Sequence, residues 1–187
     1  MNETRALTDH EIHTLLAATT PRTRVLFLTG LYFGTRISEA LALHFRDVSG
    51  TFLTFRSKKH SANRTFDIPA AYMQEVQNLR AYYQAQGRVV TADTPLFLSR
   101  EGRNRPISRQ QASHILITLR QALSLDGCVN THSFRKSFTL KIWDLCGHNL
   151  PELQRYTRHK NIANTGTYLK SAQGTPLIHH LTWGDVT

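Results

Sequence analysis

Apolar residues return every three or four positions along most of this chain, and every second position over one short stretch. In the segment TDHE, Thr8 can cap a helix and Glu11, three residues on, completes a capping box; Ile12, Leu15 and Leu16 then form an apolar stripe. Pro21 suits the first turn of a second helix, which carries Val25, Leu26, Leu28, Leu31 and Tyr32 and ends at Gly34. Ile37, Ala40, Leu41 and Leu43 predict a third. Between positions 51 and 68, two β-like runs, TFLTFR and RTFDI, are joined by SKKHSAN and read as an antiparallel hairpin with a longer loop. Pro69 opens a helix to about Gln86, with Tyr72, Val76, Leu79 and Tyr83 on one face. After the loop GRVVTADTP and the stretch PLFLSREGRNRP, Ser108 and Gln111 form a second capping box for a helix through about Leu123. HSFRKSFTLKIWDLC reads as a helix stopped by Gly147, Pro151 starts a short helix through Tyr156, and a last candidate helix holds Tyr168. The pattern predicts an α+β fold, mainly α-helical with one small antiparallel sheet. It contains no internal repeat and no clear interdomain linker.

Composition adds a partner class. The chain has 187 residues, enough for one domain, and 23 Lys and Arg against 13 Asp and Glu give a net charge of +10. A domain this basic points to a polyanion, most often nucleic acid, because each neutralised phosphate releases counterions. Ten of the basic residues lie between Arg56 and Arg109. Of these, Arg56, Arg64, Arg100, Arg103, Arg105 and Arg109 form the candidate DNA footprint. None belongs to a purely basic run, so the charges decorate a folded surface. No stretch approaches the roughly 18 consecutive apolar residues of a membrane span, which speaks against a membrane partner. Cys128 and Cys146 read as buried free thiols in a reducing cytoplasm. The ten histidines include no H-E-x-x-H or Cys-pair spacing, and no phosphate-cradling G-x-x-x-x-G-K-[ST] occurs, so neither a metal nor nucleotide hydrolysis is expected.

A second pattern is chemical. GTRISEALAL places Arg36 after a glycine turn, with Glu39 one turn on. The hairpin loop offers Lys58 and Lys59, and THSFRKSF offers His132 and Arg135, neighbours on one helix face. His159 and Tyr168 follow, separated by small polar residues. Arginines fork onto non-bridging phosphate oxygens, histidines and a lysine move protons, and a phenol can act as nucleophile. Together they form a kit for phosphoryl transfer.

These residues, in this order, resemble the catalytic domain of the tyrosine recombinases, the integrase family of DNA breaking–joining enzymes. Gly34, Arg36 and Glu39 match the family's G-x-R-x-x-E, and Lys58 or Lys59 its hairpin lysine. Lys58 is favoured because Ser57 supplies the small polar residue that often precedes that lysine. His132 and Arg135 match H-x-x-R, His159 the second histidine, and Tyr168 the nucleophile nine residues later. The chain departs from the pattern at Arg158 and Thr157, where Leu-Gly usually precedes the histidine, and at Lys136, where histidine is common. Its hairpin loop is also about two residues longer than usual.

The resemblance implies one catalytic domain over residues 1–187, with a core at about 6–170. It is nearest the minimal recombinases of fimbrial phase switches, which lack an N-terminal DNA-clasping domain. Residues 171–187, through Leu177, Ile178, Leu181 and Trp183, would then pack on a neighbouring protomer. The implied activity is site-specific recombination of double-stranded DNA through a 3′-phosphotyrosyl link at Tyr168, with no cofactor. It would proceed in a homotetramer on paired sites, assembled from free monomers, with accessory DNA-bending proteins in attendance and at the nucleoid of a bacterial cytoplasm. The alternatives are a non-catalytic DNA-binding regulator with the same fold, or a type IB topoisomerase-like or telomere-resolving enzyme.

Overall fold

The computed structural model of the chain describes residues 3–55, 63–100 and 104–157. Seven α-helices, a 3-10 turn at Phe45–Val48 and one hairpin occur among them: α1 (Asp9–Ala17), α2 (Pro21–Phe33), α3 (Ile37–Ala40), β1 (Phe52–Phe55), β2 (Arg64–Asp67), α4 (Ala70–Ala85), α5 (Arg109–Ala122), α6 (Thr131–Leu145) and α7 (Leu150–Thr157). The mainly helical α+β architecture is the one that the apolar spacing predicts. Both expected capping boxes form, at Thr8–Glu11 and Ser108–Gln111. The candidate helix holding Tyr168 lies outside the described residues, as does the hairpin loop with Lys58 and Lys59.

Helix α2 is the centre of the domain, and every residue from Val25 to Phe33 is buried. A helix apolar on all sides must be covered on all sides. Helix α4 covers one flank, where the Tyr72 hydroxyl meets the Thr29 hydroxyl at 2.8 Å inside the core. Helix α6 covers another. There, Phe27 stacks on Phe134 with ring centroids 4.4 Å apart.

The α2–α6 approach depends on two glycines one turn apart. A Cβ on Gly30 would stand 2.8 Å from Cβ of Phe134, and one on Gly34 would stand 2.2 Å from Cδ1 of Phe138. Gly34 also takes the left-handed conformation, φ +55°, and closes α2 by donating its N–H to the carbonyl of Gly30 at 3.0 Å. Phe138, Ile142 and Leu153 extend the core beneath α7.

The hairpin pairs antiparallel, with Phe52 opposite Asp67 and Phe55 opposite Arg64. Phe33, Phe55 and Phe66 meet with centroids 5.6–6.1 Å apart and fix the hairpin to the end of α2. The third helix is shorter than its apolar spacing suggests. It stops at Ala40 because the chain then extends to bridge residues 94–96, where Leu96 N–H donates to the carbonyl of Leu43 at 2.8 Å. Leu41 and Leu43 are still buried, but as part of a turn. Cys128 and Cys146 are half-buried free thiols, where full burial was expected. No described helix is long and apolar enough to cross a membrane.

Replacing Gly34 by alanine combines left-handed strain, about 1–2 kcal/mol, with overpacking against Phe138, about 1–3 kcal/mol. We expect Gly34→Ala to lower the thermal midpoint by roughly 5–15 °C. The control, Gly50→Ala, has nothing within 4 Å of the added Cβ and should change it little. Equal midpoints for the two variants would contradict the close-contact account.

Candidate active site

The turn after α2 carries the first site residues. Gly34 reverses the chain, and Arg36 follows in extended conformation at the head of α3. Its backbone N–H donates to Oε2 of Glu39 at 2.9 Å, and its Nη1 to Oε1 at 3.1 Å. Glu39 accepts a third bond from Nη2 of Arg64, at 2.9 Å. Burial alone would raise the pKa of Glu39. The Arg36 N–H and the charges of Arg64 and Arg36 outweigh that, and hold the carboxyl below its ordinary value. Glu39 is thus an ionised anchor, and the Arg36 side chain stays 56% exposed above it.

The second part of the site comes from α6. Asn130 caps this helix by accepting the N–H of His132 at 2.8 Å, which sets the first turn. One turn in, Arg135 is only 5% exposed. Its Nη1 donates to the carbonyl of Gly34, and its Nη2 to the carbonyl of Thr157 at 2.8 Å. A buried guanidinium needs such acceptors, and these two tie the α2 turn to the last residue of α7. His132 stands exposed at the surface. Desolvation of its charged form, then the positive charges of Arg135, Arg36 and Lys136, hold its pKa below the ordinary histidine value. A neutral imidazole beside two arginines is thereby the favoured state at neutral pH.

Arg36, Glu39, His132 and Arg135 are therefore brought together, from sequence positions up to about 100 apart. Lys58, Lys59, His159 and Tyr168 lie outside the described residues, as do Arg56, Arg103 and Arg158. Phe55 and Arg64 on the hairpin contact Phe33 at the end of α2, and Thr157 on α7 is joined through Arg135 to Gly34. Arg100, Arg105 and Arg109 are exposed, as a DNA footprint requires.

Arg64 is not where the charge pattern put it. Its side chain is 8% exposed, lies over the Phe55 and Phe66 rings at 5.6 Å from each centroid, and donates to Glu39 and to the carbonyl of Phe33. Burial among aromatics with an ion-pair partner takes it off the exposed surface expected of a DNA contact and makes it a strut between hairpin and α3. The signal was present in β2: in RTFD, alternation puts Arg64 on the same face as Phe66. Lys136, within electrostatic range of His132, is engaged elsewhere. Its Nζ donates to Oε1 of Glu3 at 2.9 Å and to the carbonyl of Thr4, fastening the N-terminal segment to α6. Among the described residues, no three His, Cys, Asp or Glu side chains gather where they could share a metal ion.

The profile of the phage integrase family matches residues 5–174. Among solved structures, the fold is similar to XerA recombinase, at 18% identity over 89% of this chain and 60% of that one, with a TM-score of 0.72. It is similar to the Tn1549 transposon integrase in complex with transposon right end DNA, at 18% identity over 92% of this chain and 64% of that one, with a TM-score of 0.73. The catalytic domain of bacteriophage HP1 integrase matches at 20% identity over 89% of this chain and 87% of that domain, with a TM-score of 0.58. The chain thus spans less than two thirds of the length of the first two and most of the third. No curated protein matches it by sequence. With its match over residues 5–174 and this fold, the chain belongs to the phage integrase family, the tyrosine recombinases.

Proposed function

We propose that the chain is the catalytic domain of a site-specific DNA recombinase that cuts and rejoins DNA through Tyr168. The observation that carries this reading is the assembly of Arg36, His132 and Arg135 around the Gly34 turn, where the arginine charges help hold the His132 pKa below its ordinary value. The match to the family through residue 174, beyond Tyr168, supports the nucleophile, and the DNA held by the Tn1549 integrase supports the substrate class.

In this mechanism the Tyr168 phenol oxygen attacks a backbone phosphorus as the P–O5′ bond breaks. A 3′-phosphotyrosyl link forms and the 5′-oxygen leaves. A phenol with pKa about 10 is protonated at neutral pH, so its proton passes to a base, which we assign to His132. Lys58, with Lys59 as the alternative, gives a proton to the leaving oxygen. Arg36, Arg135 and His159 stabilise the charge that builds on the non-bridging oxygens, each donor worth roughly 10²–10³ in rate. Attack by a 5′-hydroxyl of the same or a partner strand reverses the step and conserves the bond energy, so no ATP or metal is consumed. Glu39 acts through Arg36 and Arg64 as a positioning group. The exposed Arg100, Arg105 and Arg109, with Arg56 and Arg103, would contact the duplex. Pairing of two sites in a homotetramer, with residues 171–187 exchanged between protomers, completes the proposal.

Duplexes selected from a random pool by binding, then nicked near their centre to trap the intermediate, test this reading. Wild type should give a covalent protein–DNA adduct and Tyr168→Phe none. Equal adduct from both would place the nucleophile on another residue, and none from wild type on DNA that it binds tightly would leave the regulator reading in place. Recombination between two such sites on one plasmid would separate a recombinase from a topoisomerase-like enzyme. The pH profile tests His132. Because its pKa lies below the ordinary 6.5, cleavage should hold from neutral pH down through that value and fall only at more acidic pH. His132→Gln should lose that acid limb along with roughly 10²–10⁴ in rate. An unchanged profile in the variant would exclude His132 as the base.

A further inference from the structure

At the opposite end of α2 from Arg36, a cavity of about 340 Å³ opens between the start of that helix, the last turn of α4 and residues 98–100. Helix α2 has 13 residues, so about 20 Å separates this recess from the Gly34 turn. Arg22, Arg88 and Arg100 all line it, with Tyr82 beside them. Nη1 of Arg22 donates to the carbonyl of Leu98 at 2.6 Å, and Nη2 of Arg88 to the carbonyl of Arg100 at 3.2 Å. Nε of Arg22 is buried and has no hydrogen-bond partner.

What sets this cluster apart is the absence of a counter-charge among the described residues. Arg5, Arg24, Arg46 and Arg64 each pair with a carboxylate, and Arg24 does so two residues from Arg22. Among the described residues, no ion pair includes Arg22, Arg88 or Arg100. Burial, together with the charges of Arg100 and Arg88, pushes the Arg22 guanidinium below its usual pKa. Three like charges around one recess repel one another until an anion enters.

We propose that this recess binds a phosphate group, held jointly by Arg22, Arg88 and Arg100. A tetrahedral phosphate offers acceptors in several directions, which suits guanidiniums converging from three elements better than a planar carboxylate does. The site lies a helix length from the strand-cleavage centre and does not depend on that reading. The phosphate has two possible sources, the DNA backbone and a free phosphate or phosphomonoester.

Thermal unfolding in potassium phosphate against potassium chloride at equal ionic strength tests the site, with Arg36→Gln as the background that removes phosphate binding near Arg36. Phosphate should raise the midpoint by a few degrees in that background, since a ligand bound only by the folded state stabilises it. The further change Arg100→Gln should abolish the rise. Arg100 is the residue to alter because it is exposed and has no side-chain partner among the described residues, so its loss should leave the fold intact. A phosphate-specific rise that survives Arg100→Gln, or no rise over chloride, overturns the proposal. Salt-dependent DNA binding then identifies the source. If the DNA backbone supplies the group, Arg88→Gln, at a residue outside the proposed duplex contacts, reduces the slope of log affinity against log salt by about 0.9 and also loses the thermal effect. If a free phosphate does, the slope is unchanged while the thermal effect is still lost.

Discussion

Gly30 and Gly34 lie one turn apart on α2, and Phe134 and Phe138 lie one turn apart on α6. Each ring occupies space that a side chain on the facing glycine would fill. This close packing sets the register of the two helices, and the register sets the site. Arg135, between the two phenylalanines in sequence, reaches the carbonyl of Gly34. Arg36, two residues past that carbonyl, is held within electrostatic range of His132. A slip of one turn, about 5.4 Å, would separate these groups. Packed interiors do not deform by such amounts gradually, so the contact acts as a jig for the chemistry.

The same geometry gathers positive charge, which costs stability unless anions are near. Glu39 supplies one, shared between Arg36 on the exposed side and Arg64 on the buried side. The backbone carbonyls of Gly34 and Thr157 stabilise Arg135 without neutralising it. Lys136 is directed to Glu3 and Thr4 of the N-terminal segment. A lysine in place of the family's usual histidine is thus absorbed into the attachment of the N-terminal segment. The net positive field that remains at the Gly34 turn is what a backbone phosphate, with charge building on its oxygens, would complement.

Much of this was legible in the sequence, for physical reasons. Helix ends announced themselves through capping boxes, Pro21 and Gly34, whose local energetics hold in almost any tertiary setting. The hairpin was legible because its period of two contrasts with the helices around it. Arg36, His132 and Arg135 were found from the order of their motifs. The end of α3 at Ala40 was not legible, because the pairing of Leu43 with Leu96 is a long-range contact that periodicity does not carry. Arg64 was misplaced for a related reason. Charge counting treats every arginine as solvated, whereas a guanidinium over Phe55 and Phe66 with a carboxylate at 2.9 Å is stable inside. The carbonyls of Gly34 and Thr157 leave no side-chain signature at all, so the partners of Arg135 became visible only in the fold.

The central claim is that this scaffold serves one nucleophile. Digesting the trapped protein–DNA complex with protease and nuclease, then locating the nucleotide-bearing peptide by mass spectrometry, measures it directly. The account predicts a single modified residue, Tyr168, joined to DNA through a 3′-phosphate. A modification on another side chain, or a linkage through a 5′-phosphate, would contradict it.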